Sequence, residues 1–374
     1  MKKIILAIDS YKGCLSSKEV ETCVKQSLHA RFPDSRIVCF PVADGGEGLL
    51  EALAEVSDVR MVCTEVHDPL MRLRKACYEL LPDGETAVVE MAQASGLPLL
   101  KDSERNLMRA STFGTGELIA DALRRGCRKF LVGIGGSATN DAGMGMLEAL
   151  GVRFYDEEGR ELPSGGESMC RIARIDIGGM DMRLAGAEFK VACDVDNPFC
   201  GDKGAARIFG PQKGGAPEQI DALDDGMRRF AKLAKAVVHK DIVSLPGAGA
   251  AGGLGGALYA FLNARLMPGI DLMLDAGHFD DVLSDADCVI TGEGRSDIQT
   301  LMGKVPSGIL KRTLPRGIPT ILLSGRIENE DALRKAGFAE LVEVSPRQMP
   351  LAEAMLPETA KANIRQAVMR LAFP

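Results

Sequence analysis

The sequence predicts an α/β protein in which a parallel-sheet domain is assembled from both ends of the chain and a second, mixed α/β domain is inserted between them. Three observations predict this. Strand-like apolar runs alternate with helical ones over the first part of the chain, the same alternation returns after about residue 285, and a block of short alternating runs lies between. At 374 residues the chain is also long for one core, because domains usually run about 100–200 residues. The pattern divides it into a terminal domain, 1–64 with 285–374, and an insertion, 65–284.

Lys3 to Ile8 is an apolar run followed by Asp9-Ser10-Tyr11-Lys12-Gly13, which reads as a strand and the loop at its carboxyl end. A helix follows from Lys18 to Arg31, opened by Ser16-Ser17-Lys18-Glu19, a hydroxyl followed three residues later by a glutamate, the capping-box pattern. Arg36 to Val42 is the next strand and Gly48 to Val56 the next helix. The rhythm then changes to short runs at Val62 to Val66, Lys75 to Leu81 and Thr86 to Met91. Pro82-Asp83-Gly84-Glu85 supplies a turn between the last two, so this block is expected to be antiparallel. Helices are expected near Gly116 to Arg125, Asp141 to Leu150, Glu218 to His239 and Gly253 to Arg265. The stripe Ile220, Leu223, Met227, Phe230, Leu233, Ala234 and Val237 has helical spacing and is expected to face the core. The βα alternation resumes with strands at Cys288 to Thr291, Pro319 to Leu323 and Glu340 to Val344, and helices at Val305 to Thr313 and Asn329 to Ala336.

The net charge of −7 and the absence of a long Lys/Arg stripe argue against a nucleic-acid or anionic-membrane binder. The apolar run in MKKIILAIDS is cut by Asp9, too early for a signal peptide, and no segment approaches a membrane span. The ten cysteines include no C-x-x-C pair and are expected to be reduced thiols of a cytoplasmic protein. Four scattered histidines disfavour zinc.

Ligands of open parallel sheets bind beyond the carboxyl ends of the strands. Polar residues gather there in this chain: Asp9 to Lys12, Asp44 to Gly48, Asp194 to Asn197 and Gly292 to Asp297. Carboxylates at neighbouring strand ends repel one another unless a cation or lysine joins them, which makes this edge a candidate Mg2+ site. A lysine in a short loop between a strand and a capped helix, as Lys12 is, suits a phosphate.

Two glycine loops stand out. GIGGSATNDAGMG, Gly133 to Gly145, follows an apolar strand and precedes a helix, with Asp156 near the distance at which a dinucleotide fold places its ribose-binding acid. Gly247 to Gly252 is a second G-x-G-x-x-G. The interior of the first loop, Ser137-Ala138-Thr139-Asn140-Asp141, offers hydroxyls and an amide beside backbone N–H groups, a lining suited to phosphate or a hydroxy acid rather than to a pyrophosphate packed on bare glycines. Neither loop carries a Walker A lysine, and no G-x-S-x-G elbow is present. A nicotinamide-dependent oxidoreductase of a small hydroxy acid remains the alternative enzyme.

Taken together, Asp9 to Lys12, PVADGGEG (Pro41 to Gly48), GTGELI (Gly114 to Ile119), GIGGSATNDAG, CDVDNP with CGDKGAARIFGPQKG (Cys193 to Gly214), PGAGAAGGLG (Pro246 to Gly255) and TGEGRSDIQ with GKVPSG (Thr291 to Gly308) closely resemble the bacterial glycerate kinases of the glycerate 2-kinase type. The match runs in order over almost the whole chain. The resemblance implies a Rossmann-like domain and a mixed second domain with the active site in the cleft between them. It further implies ATP- and Mg2+-dependent phosphorylation of D-glycerate to 2-phosphoglycerate, in glyoxylate or sugar-acid catabolism, with the 3-hydroxyl as the competing acceptor. No nucleic-acid or membrane partner is expected, and monomer and homodimer are both open.

On that resemblance Lys12 is assigned to the transferring phosphate, Asp44 to the glycerate 2-hydroxyl, and Asp194, Glu293 and Asp297 to Mg2+, with Asp194 and Asp297 counted also among the catalytic residues. Arg295 is assigned to the glycerate carboxylate, with Asp9, Ser10, Ser137 and Asn140 also on the substrate. Gly135, Gly136, Thr139, Lys213, Gly249, Gly252 and Gly253 are assigned to the nucleotide. The chain departs from the family at Ser296, where Ile is usual, and at Ala142, where a second Gly is frequent. Leu323 to Glu328 and Ser345 to Gln348 fit less well, and no role is assigned to them.

Overall fold

A computed structural model of the protein describes residues 2–42, 49–56 and 58–372. The chain divides into two compact units. The first contains Met1–Asp44, Glu51–Val56 and Met273–Pro374, and the second Gly45–Leu50 and Ser57–Leu272.

The first unit is built on a five-stranded sheet in the order Glu340–Glu343, Thr320–Ser324, Cys288–Gly292, Lys3–Ile8, Arg36–Cys39, with every neighbouring pair parallel. A parallel sheet is covered on both faces, so its strands read as continuous apolar runs. Here Ile4, Leu6, Ile8, Ile290 and Leu323 pack with Val20, Val24, Leu28, Ile364 and Val368 on one side, while Leu322 packs with Leu310, Leu333 and Phe338 on the other. The helix Ser17–Arg31 starts on the capping box foreseen in the sequence: Ser16 accepts from the Glu19 amide and Glu19 from the Ser16 amide. The strand order reverses direction between Lys3–Ile8 and Cys288–Gly292. In open α/β sheets the crevice at such a switch point, at the carboxyl ends of the strands, is where ligands bind.

The second unit is built on a six-stranded mixed sheet in the order Arg265–Met267, Glu188–Ala192, Lys129–Gly133, Thr86–Glu90, Leu73–Leu80, Arg60–His67. The first four strands are parallel and the last two are joined antiparallel, as the short alternating runs predicted. Helix Pro217–Val238 buries Leu223, Met227, Phe230 and Ala234 from its apolar stripe. Two expected helices are shorter than the periodicity suggests. The one after Asp141 starts only at Met144, and the one after Gly253 ends at Phe261, leaving Arg265–Met267 to form an edge strand beside Glu188–Ala192.

The expectation of ten reduced cysteines is corrected at one pair. Cys63 and Cys77 stand directly opposite each other in the antiparallel register and form a disulfide, while the other eight are free. Spacing in the sequence gave no sign of this, because the pairing depends on register rather than on a C-x-x-C motif. No helix among the described residues is long and apolar enough to cross a membrane.

Candidate functional site

At the switch point of the first unit three loops meet. The Asp9 amide donates to the Gly292 carbonyl, tying the loop after the first strand to its neighbour, and the Ser10 amide donates to Asp9 Oδ1 at 2.7 Å. Tyr11 is buried and its hydroxyl donates to the Leu323 carbonyl at 3.2 Å, which pins the loop to a third strand. That burial raises the Tyr11 phenol well above its ordinary range, so it stays a neutral donor. Lys12, the next residue, is exposed at the tip.

Glu293 organises the facing loop. Its Oε1 accepts from Thr300 Oγ1 at 2.6 Å and Ser296 Oγ at 3.1 Å, and its Oε2 lies 3.3 Å from Lys304 Nζ. Ser296 also meets Ser324 Oγ at 2.7 Å, so it joins a buried hydroxyl network. Asp297 caps the short turn Ile298–Leu301 by accepting from the Gln299 amide. Arg295 is 62% exposed and donates to Glu328 at 2.8 Å, with Asp297 at 3.8 Å. Asp44 lies outside the described residues. Thr300, Lys304 and Ser324 were missed as site residues; only Lys304 carried a signal, inside the GKVPSG block.

In the second unit the two glycine motifs, remote in sequence, form one structure. The Ala142 amide donates to the Gly252 carbonyl at 3.0 Å. Gly252 has φ +67°, and a Cβ there would fall 2.1 Å from the Thr139 carbonyl oxygen, so only glycine allows the two backbones to approach. Asp141 locks the first loop. Fully buried, it accepts from the amides of Thr112, Gly143 and Gly145 and from Thr112 Oγ1. Burial drives its carboxyl up from the usual range, and these four donors oppose the rise. The helix begins late because Ala142 and Gly143 hold left-handed backbone at φ +53° and +72°, with the Ala142 amide on the Gly252 carbonyl and the Gly143 amide on the Asp141 carboxylate.

Lys213 reaches the same loop from a short turn at Pro211–Lys213 and donates to Ser137 Oγ at 2.7 Å and to the Thr139 carbonyl at 2.8 Å. Burial pulls its ammonium down to about 7, with Asp141 pulling the other way. Gly135 is half-buried and Gly136 exposed, whereas Thr139 and Asn140 are sealed inside. Thr139 Oγ1 and Asn140 Oδ1 have no hydrogen-bond partner among the described residues. Gly249 donates its amide to the Asn197 carbonyl, and Gly253, at φ +95°, leads into the helix Leu254–Phe261. Asp194 Oδ1 accepts from the Gly269 amide at 2.9 Å. Asp156, placed by spacing near a ribose, instead closes its own turn by accepting from the amides of Glu158 and Arg160 and from Arg160 Nε. Among the described residues no group of three or more His, Cys, Asp or Glu side chains is arranged to hold a metal ion.

Residues 4–373 match the glycerate kinase family. The chain is 43% identical to a glycerate kinase of Bacillus subtilis (strain 168), over 94% of this chain and 92% of that one. It is 43% identical to the glycerate 2-kinase of Escherichia coli (strain K12), over 88% of this chain and 86% of the relative. A crystal structure described as a glycerate kinase 2 from Salmonella typhimurium LT2 superposes with a TM-score of 0.84 at 43% identity, covering 98% of this chain and 96% of its own. With fold, motifs and relatives in agreement over the whole length, the chain belongs to the glycerate kinase family and is a phosphotransferase.

Proposed function

We propose that the enzyme transfers the γ-phosphoryl group of ATP to the 2-hydroxyl of D-glycerate, releasing ADP and 2-phosphoglycerate, in the cytoplasmic breakdown of small organic acids. The observation that carries the choice of hydroxyl is the match to the Escherichia coli protein named glycerate 2-kinase. The chemistry needs an in-line approach, neutralised charge on the transferring group and an acceptor for the hydroxyl proton.

Lys12, exposed on a loop pinned by Tyr11 and Asp9, supplies a point charge to the transferring phosphoryl group. The glycerate 2-oxygen attacks phosphorus as the bond to the ADP oxygen breaks, and Asp44 takes the hydroxyl proton. Kinase Mg2+ is held by one or two carboxylates and completes its shell with phosphate oxygens and water. Asp194 and Asp297 are the carboxylates we assign to such an ion, which would offset phosphate charge when bound. Glu293 has a different donor set. Two hydroxyls and an ammonium already occupy its oxygens, so we assign it to holding the loop and Lys304 rather than the ion. Arg295, Asp9 and Ser10 are assigned to glycerate, and the paired glycine loops to phosphate.

The test is ADP release from ATP, Mg2+ and D-glycerate, followed by enolase without a mutase. Phosphoenolpyruvate supports the 2-hydroxyl; ADP release without it identifies the 3-hydroxyl as the acceptor, and no glycerate-dependent ADP release overturns the reading.

A further inference from the structure

A lysine ammonium can only donate. Lys213 Nζ sits 2.7 Å from Ser137 Oγ, so while Lys213 is charged the Ser137 hydroxyl must accept from it and turn its own hydrogen elsewhere. Among the described residues no acceptor takes that hydrogen, and Ser137 stands where the loop passes from exposed to sealed, between Gly136 and Ala138. At 8% exposure Ser137 keeps more access to solvent than Ala138, Thr139, Asn140 or Asp141 after it, while Lys213 behind it keeps 3%.

The charge on Lys213 is weakly compensated. Of the charged groups around it, Asp141 is engaged by four donors, and Arg105, itself a cation, pairs with Asp102 and donates to the Gln212 carbonyl. A buried cation of this kind is costly unless something negative completes its surroundings.

We propose that Lys213 is a positioning residue that fixes the polarity of the Ser137 hydroxyl, making Ser137 a donor to an anionic oxygen of a ligand lying on the glycine loop. Under the kinase reading, on which this rests, that oxygen belongs to the nucleotide phosphates or to the glycerate carboxylate. Loss of the lysine proton reverses the device, because a neutral amine can accept from Ser137 and draw its hydrogen inward. The sign follows: binding is strong below the pKa of the buried lysine, about 7, and weakens as pH rises through it.

Binding of ADP with Mg2+ and of D-glycerate, measured by titration calorimetry from pH 6 to 9 on the whole enzyme and on Ser137→Ala, tests this. The ratio of the two dissociation constants cancels the titration of the ligand itself. For one of the two ligands the ratio is expected to be about tenfold at pH 6, the cost of a lost hydrogen bond to a charged group, and to approach one at pH 9. The affected ligand identifies the source of the anionic oxygen. Lys213→Met should match Ser137→Ala, and the double variant should be no worse than either. A ratio near one at every pH for both ligands, a loss that does not change with pH, or additive losses in the double variant would overturn the proposal. If wild type binds these anions with the expected coupling yet shows no glycerate-dependent ADP release, the kinase reading fails and the Lys213–Ser137 device stands.

Discussion

The two candidate regions are built by opposite means. At the switch point of the first unit, the groups we propose for function are side chains. Lys12, Glu293, Arg295, Asp297 and Lys304 stand on loops at strand ends, several of them exposed, and a hydroxyl–carboxylate network holds the loops in register. In the second unit the framework is backbone. Two glycine loops are pressed together, Asp141 is spent on amides, and the polar side chains Thr139 and Asn140 are enclosed. The difference teaches where substitutions should register: on turnover for the exposed side chains of the first region, on stability for the glycine framework of the second.

The largest expected effect is on turnover. Lys12→Ala removes an exposed charge and buries nothing, so kcat should fall about a thousandfold (~4 kcal/mol) with an unchanged thermal midpoint. Steady-state kinetics and calorimetry on the same preparation check it. A variant that keeps wild-type turnover removes Lys12 from the mechanism and erases the functional half of the contrast.

Gly252→Ala tests the other half. Its Cβ would meet the Thr139 carbonyl oxygen at 2.1 Å from a φ of +67°. Left-handed strain and the clash together should cost about 3 kcal/mol. The urea midpoint should drop accordingly, and activity per folded molecule should fall less than in Lys12→Ala. Full stability would mean that the two loops can separate freely.

Glu293→Gln lies between these extremes. The amide keeps the shape and can still accept from Thr300 and Ser296, but loses its attraction for Lys304. About a tenfold loss of kcat/KM with little change in unfolding midpoint is expected. A loss as deep as that of Lys12→Ala, restored in part by raised Mg2+, would return Glu293 to the metal.

The same contrast explains what the sequence made legible. The parallel sheet, its assembly from both termini and the polar strand ends followed from periodicity and from the loops after Ile8 and Thr291, since strand ends place charged residues at one edge whatever the tertiary details. The antiparallel block followed from one turn and its flanking runs. What periodicity could not show is which chain segments meet. Gly247 to Gly252 and Gly133 to Gly145 read as two separate glycine motifs and are one packed structure. Asp156 looked like a ribose ligand and closes a turn. The helical pattern that begins at Asp141 concealed a carboxylate facing inward. Ser296, which the resemblance alone left without a role, gained a meaning only when Ser324 and Glu293 arrived beside it.

The smallest effect is the finest test of the backbone framework. Ala142 occupies φ +53°, a left-handed conformation that favours glycine. A Cβ there is expected to cost about 1–2 kcal/mol, while glycine would lose entropy in the unfolded chain and leave a methyl-sized gap in a fully buried position, together about 1 kcal/mol. Ala142→Gly should therefore stabilise the protein only slightly, by about 0.5 kcal/mol, with kinetics unchanged, as read from paired urea titrations. Because the Ala142 amide donates to the Gly252 carbonyl, the same substitution should soften the damage of Gly252→Ala by giving the facing backbone room to shift. Strict additivity of the two changes would show that each loop holds its shape alone, and would make the pairing a consequence of the framework rather than its cause.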